Sequence, residues 1–542
     1  MNVLLSGLSG SPSFKKLQAA VKAGNTPVYV SGVGQIHKVL LTAALSENTR
    51  KRVLLLTADE AEATRLCEDL CALGKRALVY PAREISLRDV TYGSREFEQQ
   101  RLGVLAALAQ DNCDIVCTTA EAAAQFTLPP ETLATHTLTI KDNAPLPVAD
   151  LAKTLVEAGY ERCDQIEGAG QFAVRGGIID IFPAAGNEPA RLELWGDTVD
   201  SLSAFDRLTQ RRTEPLKTLV VPPAVERVTD DRFEVADRVA ALAENLSSRQ
   251  AECKARLLAD ADKIADGLPF NGDKYVSLLY EKPATLFDYV PEALCVMSEP
   301  HAVRERAEAL GFQWRQDVTD LLKEQLLCKE LCEAALDYDE VIRRLSAQGV
   351  VLFDTFARTE RDFELKETVS VNARQLPIWS GDLTVLKEDL EDLRARKMKV
   401  AVLAGAEEKN ASLLAEDLTA RGVPALYAKN PAELTERHVT VLCGGLSAGA
   451  EFPDAGFAVL THGRVASKRQ KARYKAKNKG SELHSLSELR PGDYVVHTVH
   501  GIGQYCGVQQ LDVQGVTKDY LKLKYAKGDV LYVPVTQLVL VS

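Results

Sequence analysis

The sequence contains no apolar run of membrane-spanning length, and a helical span needs about 20 such residues. No crossing of a bilayer by helices is therefore expected. The opening residues, MNVLLSGLSGSPSFKKL, lack a basic segment followed by a long apolar core. They do not read as a secretory signal, and a cytosolic setting is expected. None of the 11 cysteines forms a C-x-x-C pair. The closest, Cys67/Cys71 and Cys328/Cys332, lie on expected helices, and Cys113/Cys117 ends an expected strand. With no second pair or histidine cluster to complete a zinc site, no metal is expected and reduced, mostly buried thiols are. His497 and His500 in VVHTVHG have no cysteine or carboxylate cluster beside them and read as turn or barrel residues. An excess of positive charge is also missing. The net charge is −11, which argues against the whole surface gripping DNA.

What is present fits an ordinary water-soluble chain, with 46% hydrophobic and 26% charged residues. At 542 residues a single core is not expected; roughly three to five domains are.

A motif conspicuous by its incompleteness is the phosphate-binding loop, G-x-x-x-x-G-K-[ST]. No intact copy exists in the chain. The stretch YVSGVGQIHKVLLTA, 29–43, supplies Gly32 and Lys38, but His37 stands at the second glycine and Val39 at the hydroxyl position. The glycine lets backbone N–H groups wrap phosphates, and the hydroxyl ligates Mg²⁺. Both functions are lost, although the flanking residues still read as strand, loop and helix. An inactive nucleotide site is expected. The acidic stretch LLLTADEAEA follows only 21 residues after Lys38. It is read as the next strand and helix, with Asp59 as N-cap rather than metal ligand.

Residues 1–140 alternate apolar strands (PVYVSG, RVLLLT, RALVYP, DIVCTT) with helices, the pattern of a parallel sheet covered on both faces. SREFEQQRLGVLAALAQ reads as the clearest amphipathic helix. Residues 141–225 turn β-rich, with a tight turn at Gly196–Asp197. Residues 226–365 return to mixed helix and strand and read as the second part of the first domain. Residues 366–463 form a second small α/β unit. Residues 464–487 begin with RVASKRQKARYKAKNK, which has eight Lys/Arg and no acid. It is read as a solvated linker, with DNA contact as the alternative. Residues 488–542 alternate like a small SH3- or Tudor-like barrel.

Two stretches are specific enough to resemble known families. GYERCDQIEGAGQFAVRGGIIDIFPAAGNEPARLELWGDTVDSLSAFDRLTQ, with its block R-G-G-x-x-D-x-F-P over Arg175–Pro183, resembles a domain shared by UvrB and the bacterial transcription-repair coupling factors. PGDYVVHTVHGIGQY with YLKLKYAKGDVLYVPVTQL resembles the RNA polymerase-interacting module of the coupling factors, shared with CarD-like regulators. The two in this order fit the coupling factors. The resemblance covers essentially the whole chain, more loosely in its two α/β portions. It implies a degenerate P-loop-type domain that keeps a partner-binding role and drops ATP. UvrB itself fits less well: the P-loop is broken, the stretch YPAREISLRDVTYGSRE is short for UvrB's aromatic DNA-clamping hairpin, and Ser298 stands where UvrB's metal-binding aspartate aligns. A UvrB-like repair protein and a CarD-like regulator remain the alternatives.

The resemblance implies UvrA contact through Arg175, Arg191 and Trp195, where the family often has Phe at the last position. Arg and Trp commonly dominate interface energetics, and positions 191 and 195 of a regular strand share a face. It implies contact with the N-terminal part of the polymerase β subunit through Leu511, by strand addition; Val508 and Val513 are the alternative barrel-fillers. The family's ATP- and Mg-dependent translocase domains would follow Ser542, so no cofactor and no catalytic residue are expected within this chain. A monomer is expected. The expected role is recruitment in transcription-coupled nucleotide excision repair, by binding stalled polymerase and recruiting UvrA.

Overall fold

In the computed structural model the short apolar runs of the first domain, joined by Glu367–Ser370 from the segment expected to open the second α/β unit, become seven parallel strands. Across the sheet they run Glu367–Ser370, Val28–Ser31, Gly349–Asp354, Leu294–Ser298, Val53–Thr57, Ile115–Thr119 and Ala77–Tyr80. Strand side chains alternate between faces, and the core divides accordingly. Leu54 and Leu56 pack with Leu102, Leu105, Met297 and Leu352 on one side. Val53 and Leu55 pack with Ile36, Leu40, Val296 and Phe353 on the other. That second core continues into Ala401, Leu403, Phe452 and Phe457, so the small α/β domain shares it. That domain is built on a mixed six-stranded sheet ordered Arg374–Leu376, Gly449–Phe452, Phe457–Thr461, Lys399–Leu403, Val439–Leu442, Ala425–Tyr427.

The structure describes residues 2–542 except 86, 88–94, 185, 187, 208, 230, 269, 281, 432, 465–492, 498–500, 514–515, 526–529 and 535–542. The basic run after Arg464, His500 and residues 86 and 88–94 of the stretch compared with the UvrB hairpin lie outside the described residues. The chain divides into two units, residues 1–464 and 465–542.

The β-rich insertion is a six-stranded sheet ordered Arg212–Pro215, Thr198–Phe205, Ala190–Trp195, Ile178–Phe182, Gln171–Arg175, Glu161–Arg162. It is antiparallel except at the Glu161–Arg162 edge. Leu138–Lys141 and Thr218–Val221 pair where the chain enters and leaves the insertion. Leu151 and Leu155 of the helix Val148–Glu157 share a core with Phe172, Ile179, Ile181, Leu192 and Val199, covering one face of the sheet. In the second unit, Tyr494–His497, Gly501–Val513, Val516–Lys524 and Val530–Pro534 form a four-stranded antiparallel sheet.

Two expectations are corrected. The helix Glu96–Ala109 is not simply amphipathic, because it buries Glu98 and Arg101 among its apolar residues. Arg101 reaches Glu226 at 2.5 Å, and its guanidinium lies 4.3 Å from the Tyr80 ring centre. Cys328 and Cys332 do not lie on an α-helix; they flank a single 3-10 turn, Lys329–Leu331.

Candidate functional site

The expected nucleotide site assembles at the C-terminal ends of the parallel strands. Gly32 has φ +86°, and a Cβ there would fall 2.3 Å from the Val371 carbonyl oxygen, so the turn needs a glycine. The helix Gln35–Thr49 follows with Gly34 as its N-cap. His37 is buried, with its ring edge-on to Phe452 at 5.1 Å. Burial pulls its pKa below the usual imidazole value, and among the described residues neither ring nitrogen has a hydrogen-bond partner. Val39 is fully buried in the core.

Lys38, the residue that would meet phosphate, is turned inward. Its side chain is 3% exposed, and Nζ donates to Ser298 Oγ at 3.0 Å and Glu299 Oε1 at 2.5 Å. Ser298 Oγ in turn donates to Glu62 Oε1 at 2.7 Å. Glu299 Oε1 also accepts from the Thr355 N–H at 3.0 Å and the Thr355 hydroxyl at 2.5 Å. Asp354 accepts from the Tyr29 hydroxyl at 2.8 Å. Burial, and then a hydrogen bond with Glu299, push the Asp354 carboxyl up to about 7. Burial would raise Glu299 as well, but bonds from Asp354, Lys38 and Thr355 outweigh it and hold Glu299 down to about 2. The pair therefore shares one proton near neutral pH. Gly32, Lys38 and Ser298 are thus brought together, with Glu299 holding the lysine. Among the described residues, no group of three or more His, Cys, Asp or Glu is arranged to hold a metal ion. Asp59 caps its helix, accepting from the Glu62 N–H at 2.7 Å.

The second location is the face of the insertion sheet opposite the helix Val148–Glu157, where Ile166, Ala173, Phe182 and Phe205 form a small buried cluster. The R-G-G-x-x-D-x-F-P block is a hairpin whose turn glycine, Gly176, has φ +61°. It delivers Asp180 to the strand beside Arg191. Asp180 is buried, and both arginines converge on it. Arg191 Nε and Nη2 reach its two oxygens at 2.7 and 2.9 Å, and Arg175 Nη2 binds Oδ2. The Asp180 bond, opposed by burial, raises the Arg191 pKa. The Arg191 guanidinium lies 4.5 Å from the Phe205 ring centre. Trp195, on the same strand face as Arg191, is 82% exposed. Asp180 was not among the residues singled out from sequence; its signal was the acid within the nine-residue block R-G-G-x-x-D-x-F-P, flanked by arginines at 175 and 191.

In the second unit Leu511 lies on the strand Gly501–Val513, paired with Lys518; its side chain lies outside the described residues. Gly501–Val513 is an inner strand of the four, between Tyr494–His497 and Val516–Lys524.

The chain matches the UvrB interaction domain over residues 138–226 and the CarD-like/TRCF RID domain over residues 489–542. It is thus a chain joining a UvrB-type interaction domain to a CarD-like one. Along nearly its full length it is 29% identical to the transcription-repair-coupling factor of Bacillus subtilis (strain 168), with 97% of this chain and 46% of that protein aligned. It is 25% identical to the transcription-repair-coupling factor of Staphylococcus aureus (strain MRSA252), with 99% and 47% aligned. The chain spans about half the length of the curated relatives it matches, and it corresponds to the N-terminal half of a transcription-repair coupling factor.

Proposed function

We propose that this chain is the recruitment half of a transcription-coupled repair factor, binding RNA polymerase through one unit and UvrA through the other. The observation that carries the UvrA arm is Trp195, a large aromatic left 82% exposed beside two arginines fixed on one buried carboxylate. An exposed aromatic next to an ordered guanidinium is the usual composition of an interface anchor. The polymerase arm rests on the CarD-like match and on the β-sheet of the second unit. Its four described strands are read as part of a small SH3- or Tudor-like barrel that presents Leu511 to the N-terminal region of the polymerase β subunit. The basic run after Arg464 is read as a solvated linker, with contact to DNA as the alternative. ATP-driven translocation is assigned to the remainder of the full-length factor, and UvrA recruitment to this half.

The first domain serves as scaffold. A UvrB-like, nucleotide-driven reading is disfavoured because Lys38 is already ion-paired internally. Bound triphosphate would have to displace Glu299 and then face Glu62, Glu299 and Asp354. Such like-charge contact is unfavourable in a poorly hydrated cleft.

The test is direct binding of the chain to UvrA and, separately, to the N-terminal region of polymerase β. Trp195→Ala should abolish the first and spare the second; Leu511→Arg should do the reverse. Retention of both interactions by both variants, with the fold intact, would remove the basis of the proposal.

A further inference from the structure

On the insertion sheet, Arg191 is more tightly engaged than a contact residue needs to be. Its side chain is only 14% exposed, against 46% for Arg175. Besides Asp180, it donates from Nη1 to the Gln210 carbonyl at 3.2 Å and from Nη2 to Gln210 Oε1 at 3.1 Å. Gln210 is itself fully committed. Its Nε2 donates to the Arg207 carbonyl at 2.7 Å, and its backbone N–H donates to Asp206 O at 2.7 Å. It also holds φ +58°, a left-handed conformation that costs a non-glycine residue free energy unless its surroundings enforce it. Here the two bonds to Arg191 and the turn 206–211, closed by the Asp206 N–H on Arg211 O at 2.9 Å, do so.

Arg175 differs. It reaches Asp180 Oδ2 through one Nη2–H, from the strand on the other side of Asp180's own, and nearly half its side chain is open. Guanidinium carries five donors in a rigid fork, so most of those on Arg175 remain available to a partner.

We propose, building on the UvrA reading above, that Gln210 and Arg191 are positioning residues that lock Asp180, and that Asp180 in turn presents Arg175 to a carboxylate of the partner beside Trp195. The recognised surface then combines an acidic side chain with an apolar recess for an indole. Arg175 and Trp195 make the contacts. Arg191 acts through the carboxylate, and Gln210 acts through Arg191. Pre-organising a charged donor in this way reduces the ordering cost of binding.

The experiment is titration of the whole chain with purified UvrA, for wild type, Gln210→Gly, Arg175→Ala and the double variant, with thermal melting of each. Glycine keeps the left-handed turn and the backbone carbonyl that accepts from Arg191 Nη1, and removes the side chain that carries the amide. The expected result is a loss of about tenfold in affinity for Gln210→Gly, in the range of a hydrogen bond to a charged group. That loss should shrink to less than twofold in the Arg175→Ala background, since coupled residues are non-additive. Equal losses in both backgrounds, or no loss from Gln210→Gly, would overturn the inference. Should Gln210→Gly lower the melting temperature, Gln210→Asn replaces it, because Asn also tolerates the left-handed region while its shorter amide withdraws from Arg191; the same two outcomes decide. Unchanged binding by Trp195→Ala and Arg175→Ala would instead sink the UvrA reading itself. Loss there with no effect of Gln210→Gly sinks only the positioning role.

Discussion

Replacing Lys38 by Met separates a working phosphate-binding lysine from one that has become part of the core. In an active site the lysine serves the nucleotide, and its removal ends binding with little effect on the fold. Here Lys38 is 3% exposed and Glu299 25% exposed, 2.5 Å apart. Removing one partner of a buried pair costs about 3–5 kcal/mol. Glu299 keeps some contact with water and retains its two bonds from Thr355, so about 2–3 kcal/mol is expected for Lys38→Met. The Thr355 amide is a local reporter, since its N–H donates to Glu299. If opening of this cluster governs its hydrogen exchange, the same loss corresponds to roughly thirty- to a hundredfold faster exchange. Adding Glu299→Gln to Lys38→Met removes the stranded charge and should return most of the stability. Mg-ATP should leave wild-type exchange at Thr355 unchanged. The reasoning is refuted if Lys38→Met leaves stability and Thr355 exchange at wild-type values, or if nucleotide protects the wild type and not the variant.

Three further perturbations test other parts of the assembly. The raised Asp354 pKa, about 7 against an ordinary 3.8, means the folded state holds a proton that the unfolded chain releases. Stability is therefore lost as pH rises from about 4 to about 7, by about 1–2 kcal/mol after allowing for solvent screening. Asp354, facing Tyr29, Glu299 and Arg358, should give that slope in urea denaturation between pH 5 and 8, and Asp354→Asn should flatten it. Glu299, held down, contributes stability that is lost only as pH falls below about 4.5, outside that window. Asp69, fully buried, accepts from the Ser447 N–H and hydroxyl and from Arg464 Nε and Nη2; Asp69→Ala should cost about 3 kcal/mol and speed exchange at the Ser447 amide, with unchanged protection there counting against the clamp. Arg101→Met removes the nearer of the two guanidinium groups that hold Glu226, which is 1% exposed, and leaves Arg83 Nε at 3.4 Å; stability should fall by about 2–3 kcal/mol, and a shift under about 1 kcal/mol in denaturant would show that Arg83 alone satisfies the carboxylate.

The legible parts of this chain were those governed by local chemistry. Apolar runs such as VLLLT became buried strands, Asp59 became an N-cap, and Arg175–Pro183 became a hairpin because Gly176 sits at its turn. What stayed hidden depended on distant pairing. The buried Arg101 of the helix expected to be amphipathic could not be read from its neighbours, because its counter-ion, Glu226, lies 125 residues further on. Gln210 carried no motif, and its role exists only where the turn at 206–211 folds back on Arg191. Cys328 and Cys332 had helical spacing, but the chain there makes only one 3-10 turn.

If the first domain binds no nucleotide, as proposed, the same distinction accounts for a strand, loop and helix that keep their shape without a ligand. Losing the glycine and the hydroxyl is local, and a core will accept His37 and Val39 as buried side chains. A buried lysine is different, because its charge must be met by something once phosphate is gone. The counter-charge comes from Glu299, placed at φ +52° as the N-cap of the helix Pro300–Lys323. Its neighbour Ser298, where an aspartate would add another charge, offers a neutral hydroxyl that bridges Lys38 to Glu62. Asp354 then sits too close to Glu299 for both to ionise, and holding a proton resolves the conflict. Each substitution makes sense only with the others. Placing aspartate there by Ser298→Asp should therefore destabilise the domain rather than create nucleotide binding, since it adds a fourth carboxylate to Glu62, which Ser298 now bonds, to Glu299, already paired with Lys38, and to Asp354, already holding a proton.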